Sequence, residues 1–377
     1  MKNFILIFAL IFGLTTISFA QQGKWIVELS SMCNAQQDSR IDTMENYWIY
    51  HNYIREAEIA FFIRNDIDSC LYYYGKAFDC FSYNFVNDLV NAAQIAYHSQ
   101  KPYKPYLYKA LRYGLKSWHL EQIALFKTTA IVSELRKFET TSEYKKIRAS
   151  YVNTIDYDYL GWTYDLIINE MVSRRSDPEN YKTHIQTLLI DFIEHVEKKG
   201  FPGSRLIGID GKYAFSEIGK PELDLYNRVK KFEVLCEQYG GQKMCYGTND
   251  KDLASTQVPL FLWHYDCSFY YLQDMIMREI GKGNLHPREM ALWADVIYLE
   301  RGHEEISPFC ENATGEKGTF RMIWNCDRNY GEHACPDEQS DELRKKYAIP
   351  PLVVDQEKVK YEKKYGFRLF WGFFNCL

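Results

Sequence analysis

From Glu45 to about Val196 apolar residues recur at intervals of three and four, and Gly75 and Gly114 are the only glycines between Asn65 and Gly161. That period is helical. Glu58-Ile59-Ala60-Phe61, Gln94-Ile95-Ala96-Tyr97 and Gln122-Ile123-Ala124-Leu125 share an order of polar, Ile, Ala and bulky, and each reads as the first helix of a pair. Lys76-Ala77 and Lys109-Ala110, 33 positions apart, mark the second helices. Pro102 and Pro105 suit the entry of such a helix, where a missing N–H costs little. Tyr72-Tyr73-Tyr74 cannot share one face, because successive helical residues stand ~100° apart, so one or two are core and the rest at least partly exposed. Tyr181 to Lys199 reads as a helix stopped by Gly200, a residue that tolerates the left-handed backbone of a helix end. Gly200, Gly203, Gly208, Gly211 and Gly219 then announce a looser region. Within it, Pro287 begins and Gly302 ends another helix, and Cys236 and Cys245, symmetric about Gly240-Gly241, predict a small β-hairpin. The expected fold is mainly α: a helical hairpin array over 45–196, then a helical C-terminal domain over 197–377 with irregular loops and that hairpin.

Residues 1–20 carry the pattern of a signal peptide: Lys2, the apolar run Phe4 to Leu14, and small residues at Ser18 and Ala20. The run is short of the ~20 residues that span a bilayer, and no second long apolar run follows, so no transmembrane segment is expected after processing. A lead segment, 21–44, comes next. The expected location is periplasmic or extracellular. With 46% hydrophobic and 25% charged residues the chain is neither disordered nor collagen-like. Losing Lys2 with the signal takes the formal charge from −5 to −6, which argues against a nucleic-acid partner. All ten cysteines lie beyond residue 20, where an oxidising compartment lets them pair. Cys236 with Cys245, and two among Cys310, Cys326 and Cys335, are the disulfide candidates. Cys70 and Cys80 are too far apart along one proposed helix to join each other.

The first region, over about 45–155, resembles a tetratricopeptide repeat array, whose period is ~34 residues. That resemblance implies a surface for a peptide or protein partner, or for another domain of the chain. The second region resembles a bacterial family of unknown function through an ordered set of short motifs: Gly200-Phe201-Pro202 with Gly208, Trp263-His264-Tyr265-Asp266, Leu292-Trp293-Ala294-Asp295-Val296 followed by Glu300-Arg301-Gly302, and Pro350 to Val359 around Asp355, with Gly366. Phe201 stands where that family has Trp, and Val296 where it has Arg.

Candidate chemistry gathers around His264 and Asp266, at the end of the apolar stretch Val258 to Trp263. Helix capping alone accounts for Asp266. Asp295 has Ala291, Leu292, Tyr298 and Leu299 as its helical neighbours, so its carboxylate needs a partner, and His264 is the candidate. With Glu304 these residues form the hydrolase alternative, although no Ser or Cys nucleophile is identifiable beside them. His303-Glu304-Glu305, His286 and His333 lack the usual metal spacings, so neither metal nor cofactor is expected. The leading expectation is an exported binding or scaffold protein. Binding of carbohydrate or cell envelope through exposed rings is a further alternative, drawn from 30 Tyr, 23 Phe and 8 Trp.

Overall fold

A computed structural model of the protein describes residues 46–123, 129–209, 223–239, 268–300 and 337–366, together with Val258, Leu262, Phe320 and Leu369. The described residues are mainly helical. In chain order they form α1 Tyr47–Phe62, α2 Ile67–Cys80, α3 Val86–His98, α4 Lys104–Leu111, α5 Ser117–Ile123, α6 Thr129–Glu139, α7 Ser142–Val152, α8 Tyr157–Ser176, α9 Tyr181–Lys199, α10 Ser204–Ile207, α11 Leu223–Tyr239, α12 Ser268–Tyr271, α13 Gln273–Gly281, α14 Pro287–Glu300, α15 Asp337–Lys346 and α16 Leu352–Tyr365.

Helix starts follow from local chemistry. The side chains of Asn46, Asp66, Thr141 and Asp156 each accept a backbone N–H of the first turn of α1, α2, α7 and α8, which satisfies a donor the helix leaves open. Pro105 sits in the first turn of α4. Consecutive helices pack in pairs, α1 on α2, α3 on α4 and α5 on α6. The alanines of the repeated motifs make the close crossings: Ala60, Ala77, Ala96 and Ala110 are wholly buried. In the tyrosine run Tyr74 and Tyr73 are buried while Tyr72 is half exposed, as a helical rotation requires.

Among the described residues the aromatic rings are mostly interior. Tyr47, Tyr50, Phe78, Phe81 and Phe85 meet as rings 5.0 to 6.4 Å apart between α1, α2 and the start of α3. A second core joins α8 and α9 to α12, α13 and α14 through Phe192, Phe201, Phe269, Ile276 and Trp293, and a third lies between α8 and α11.

The hairpin expected at Cys236–Cys245 needs correction. Its first arm is helix, because α11 runs through Cys236 to Tyr239, and no strand occurs among the described residues. Leu225, Phe232 and Leu235 are buried at helical spacing, and that longer apolar period outweighs the local symmetry of two cysteines about two glycines. The second arm, with Cys245, lies outside the described residues, as do Cys310, Cys326 and Cys335.

Candidate functional site

Five charged side chains meet in the interior where C-terminal helices cross α1. Glu58, on α1, accepts from Arg288 Nη2 at 2.8 Å through Oε2 and from Lys358 Nζ through Oε1. Asp355, on α16, accepts from Arg288 Nη1 at 3.1 Å and from Arg344 Nη2. No member is more than 6% exposed. Burial alone would raise the Asp355 carboxyl, yet Arg288, Arg344 and Lys358 hold it down to about 2. Burial, with Arg288 nearby, lowers the Lys358 ammonium. Charges taken from water to this degree persist only when paired, so the cluster fixes how α1, α14, α15 and α16 fit together.

The cluster extends to Asp295 through one peptide unit. Arg344 Nη1 donates to the Phe320 carbonyl at 2.7 Å, and the Phe320 N–H donates to Asp295 Oδ1 at 2.6 Å. Asp295 is fully buried. Arg344 also donates from Nε to the Pro350 carbonyl at 2.6 Å, holding the turn into α16. Asp295 directly, and Asp355 through Arg344, thus anchor the same piece of backbone.

Beside this cluster lies a second polar group. Tyr50 donates to Asp88 Oδ2 at 2.9 Å, and His286 Nε2 is 3.4 Å from the same oxygen. His286 Nδ1 accepts the Arg288 N–H at 3.1 Å, capping α14 and leaving the ring proton on Nε2. The His51 ring stands perpendicular to His286 at 5.2 Å. Among the described residues no group of three or more His, Cys, Asp or Glu side chains could hold a metal ion.

The contact between the two regions continues along α16. Tyr361 packs edge-on against Phe61 and Phe62 of α1 and donates to the Gln94 carbonyl of α3 at 3.4 Å. Glu58 and Gln94 are the polar positions of the repeated Ile-Ala motif, and both are buried. At the other end, Glu279 organises the Gly200-Phe201-Pro202 segment. Its Oε2 accepts the Phe201 N–H and the Asn284 amide, each at 2.8 Å, while Tyr159 donates to the Gly200 carbonyl at 2.6 Å. Gly283, at φ +75°, lies against the Tyr47 ring, where an added Cβ would fall 2.6 Å from Cγ.

Of the residues expected to carry chemistry, only Asp295 lies among those described; His264, Asp266 and Glu304 do not. Glu58, Arg288, Arg344 and Lys358 were not expected from sequence. One signal was present: in α16 the charges Asp355, Lys358 and Glu362 follow one another at three and four residues, and Leu352 and Val359 stand three and four residues from Asp355. Among the described residues the exposed large aromatics, Tyr72, Tyr226, Tyr271 and Tyr365, each sit on a different helix. No helix among the described residues is long and apolar enough to cross a membrane. Set against protein-family models, curated proteins and solved structures, the chain matches none.

Proposed function

We propose that this is an exported binding or scaffold protein in which an array of helical hairpins, similar to tetratricopeptide repeats, cradles the chain's own C-terminal half. The observation that carries the reading is the occupied face of α1 and α3. The inward Glu58 carboxylate of the repeated motif is engaged by Lys358 and Arg288 of the C-terminal half, and at the matching position of α3 the backbone carbonyl of Gln94 accepts from Tyr361. A face of this kind, built from first helices, is where helical repeat arrays receive a partner. Asp295 supports the same reading, because its carboxylate is buried and holds backbone. Export is supported by the signal-like start and by ten cysteines beyond residue 20, which an oxidising compartment would let pair.

The hydrolase alternative separates from this reading by experiment. Full-length protein is offered chromogenic esters, amides and glycosides, and Asp295→Asn is compared by activity and by urea unfolding. A scaffold shows no turnover, and the variant loses stability. Turnover that Asp295→Asn abolishes at unchanged stability would sink the scaffold reading. Intact mass of the exported protein, with and without reductant, tests processing after Ala20 and the bridges; a retained leader or ten free thiols would remove the export reading.

A further inference from the structure

Two histidines stand on the array side of the junction with the C-terminal helices. His51, on α1, is 1% exposed, and neither ring nitrogen has a hydrogen-bond partner. Its ring lies among Tyr47, Tyr50, Phe85 and His286, at 5.2 to 6.5 Å between centroids. His286 belongs to the other side, as the residue that leads into α14. His98, at the last turn of α3, stacks on Tyr365 of α16 at 4.3 Å and meets Tyr361 edge-on at 5.8 Å. Lys364 Nζ already lies 4.8 Å over the Tyr365 ring.

We propose that His51 and His98 form an acid-operated latch, in which a proton on either imidazole loosens α14 and α16 from the faces of α1 and α3. The latch rests on the cradle reading above. A neutral imidazole fits both places as an aromatic ring. A charged one at His51 would sit buried without an acceptor, facing the second imidazole of His286, and one at His98 would meet the like charge of the Lys364 ammonium at the same Tyr365 ring.

The direction of the pH response follows from the groups around each ring. Burial, then the neighbouring His286, hold His51 well below its ordinary value, and burial lowers His98 to about 4. With folded values depressed, each contributes stability that is complete above the unfolded value of ~6.5 and is lost as the pH falls below it. Tyr47 and Tyr50 of α1 and His286 of the α14 side face His51, while Asp88 of α3 and Glu289 of α14 act on His286. Asp88 is engaged by the Tyr50 hydroxyl. Glu289, lifted to about 7 by burial, acts in the opposite sense and blunts the response, since it favours the folded state as pH falls through 7. Around His98 stand Tyr97 of its own helix and Tyr361, Lys364 and Tyr365 of α16.

Hydrogen–deuterium exchange on the full chain, corrected for intrinsic rates, reads the latch directly. Between about pH 7.5 and about pH 5, protection over Pro287–Glu300 and Leu352–Tyr365 is expected to fall at least about tenfold, while α8 holds. His51→Phe and His98→Phe, singly and together, keep the ring and remove the proton; each is expected to retain protection at the acid pH. His119→Phe is the control: burial lowers His119 to about 3, but its ring stacks on Trp118 within the array, so this variant should respond as the parent does. Equal protection of α14 and α16 in the parent at both pH values would overturn the latch, as would loss of α8 protection in step with theirs. Those results need no variant to fold. Absence of protection over α16 at the neutral pH would instead overturn the cradle.

Discussion

Asp355 shows how a single carboxylate can hold an interior together. It accepts from Arg288 and Arg344 and lies 4.0 Å from Lys358, so its removal leaves three cations with one carboxylate, Glu58, among the residues of the cluster. Asp355→Asn keeps the shape and removes the charge, and is expected to cost about 3–5 kcal/mol in urea unfolding at neutral pH. Since the folded carboxyl is held at about 2 against an ordinary 3.8, its contribution is present above 3.8 and disappears as the pH falls through 2. The gap between parent and variant should therefore close under strongly acid conditions. A gap that stayed constant to that point would mean the Asp355 charge does not anchor the cluster.

At the scale of the helix, local rules carried a long way. The spacing of apolar residues placed α1 to α4 and α9, the proline placed the start of α14, and the rotation of three tyrosines separated Tyr72 from Tyr73 and Tyr74. What local rules missed is the ionic junction, because Glu58 and its partners are distant in sequence and a buried charge looks like a surface charge until its partner is known. Asp295 was legible as a carboxylate on an apolar face that needed a partner, and one partner proved to be the Phe320 N–H. The stop of α9 offers a test at this scale. Gly200 has φ +96° and ψ 169°, an extended left-handed geometry that is nearly Gly-only, and an added Cβ would lie 2.4 Å from Asn284 Nδ2. Gly200→Ala should destabilise by more than about 2 kcal/mol and loosen the Glu279 clamp on Phe201. Amide exchange at Phe201 that matched the parent would argue against that clamp.

Across the whole molecule, the Glu58–Lys358 pair spans 300 positions and closes the chain on itself. Forming it requires the entropy of a very long loop to be offset first, so it belongs among the last contacts made and the first that a weakened junction loses. This gives the cradle a thermodynamic signature that neither residue alone can supply. In a double-mutant cycle of Glu58→Gln and Lys358→Met, each single change takes from a buried group one of its two ion partners, whereas the pair together removes both groups. The combined loss should fall short of the sum by about 1–3 kcal/mol, read from urea midpoints of the full chain. Additive losses would place the two residues out of contact in solution. Because Arg288 also binds Glu58, part of the coupling should persist through that guanidinium, and repeating the cycle with Arg288→Met should show a second, independent coupling to Glu58. Two couplings onto one α1 carboxylate, from α14 and from α16, are what an array holding its own C-terminal half requires; a partner touching the array through one helix gives only one.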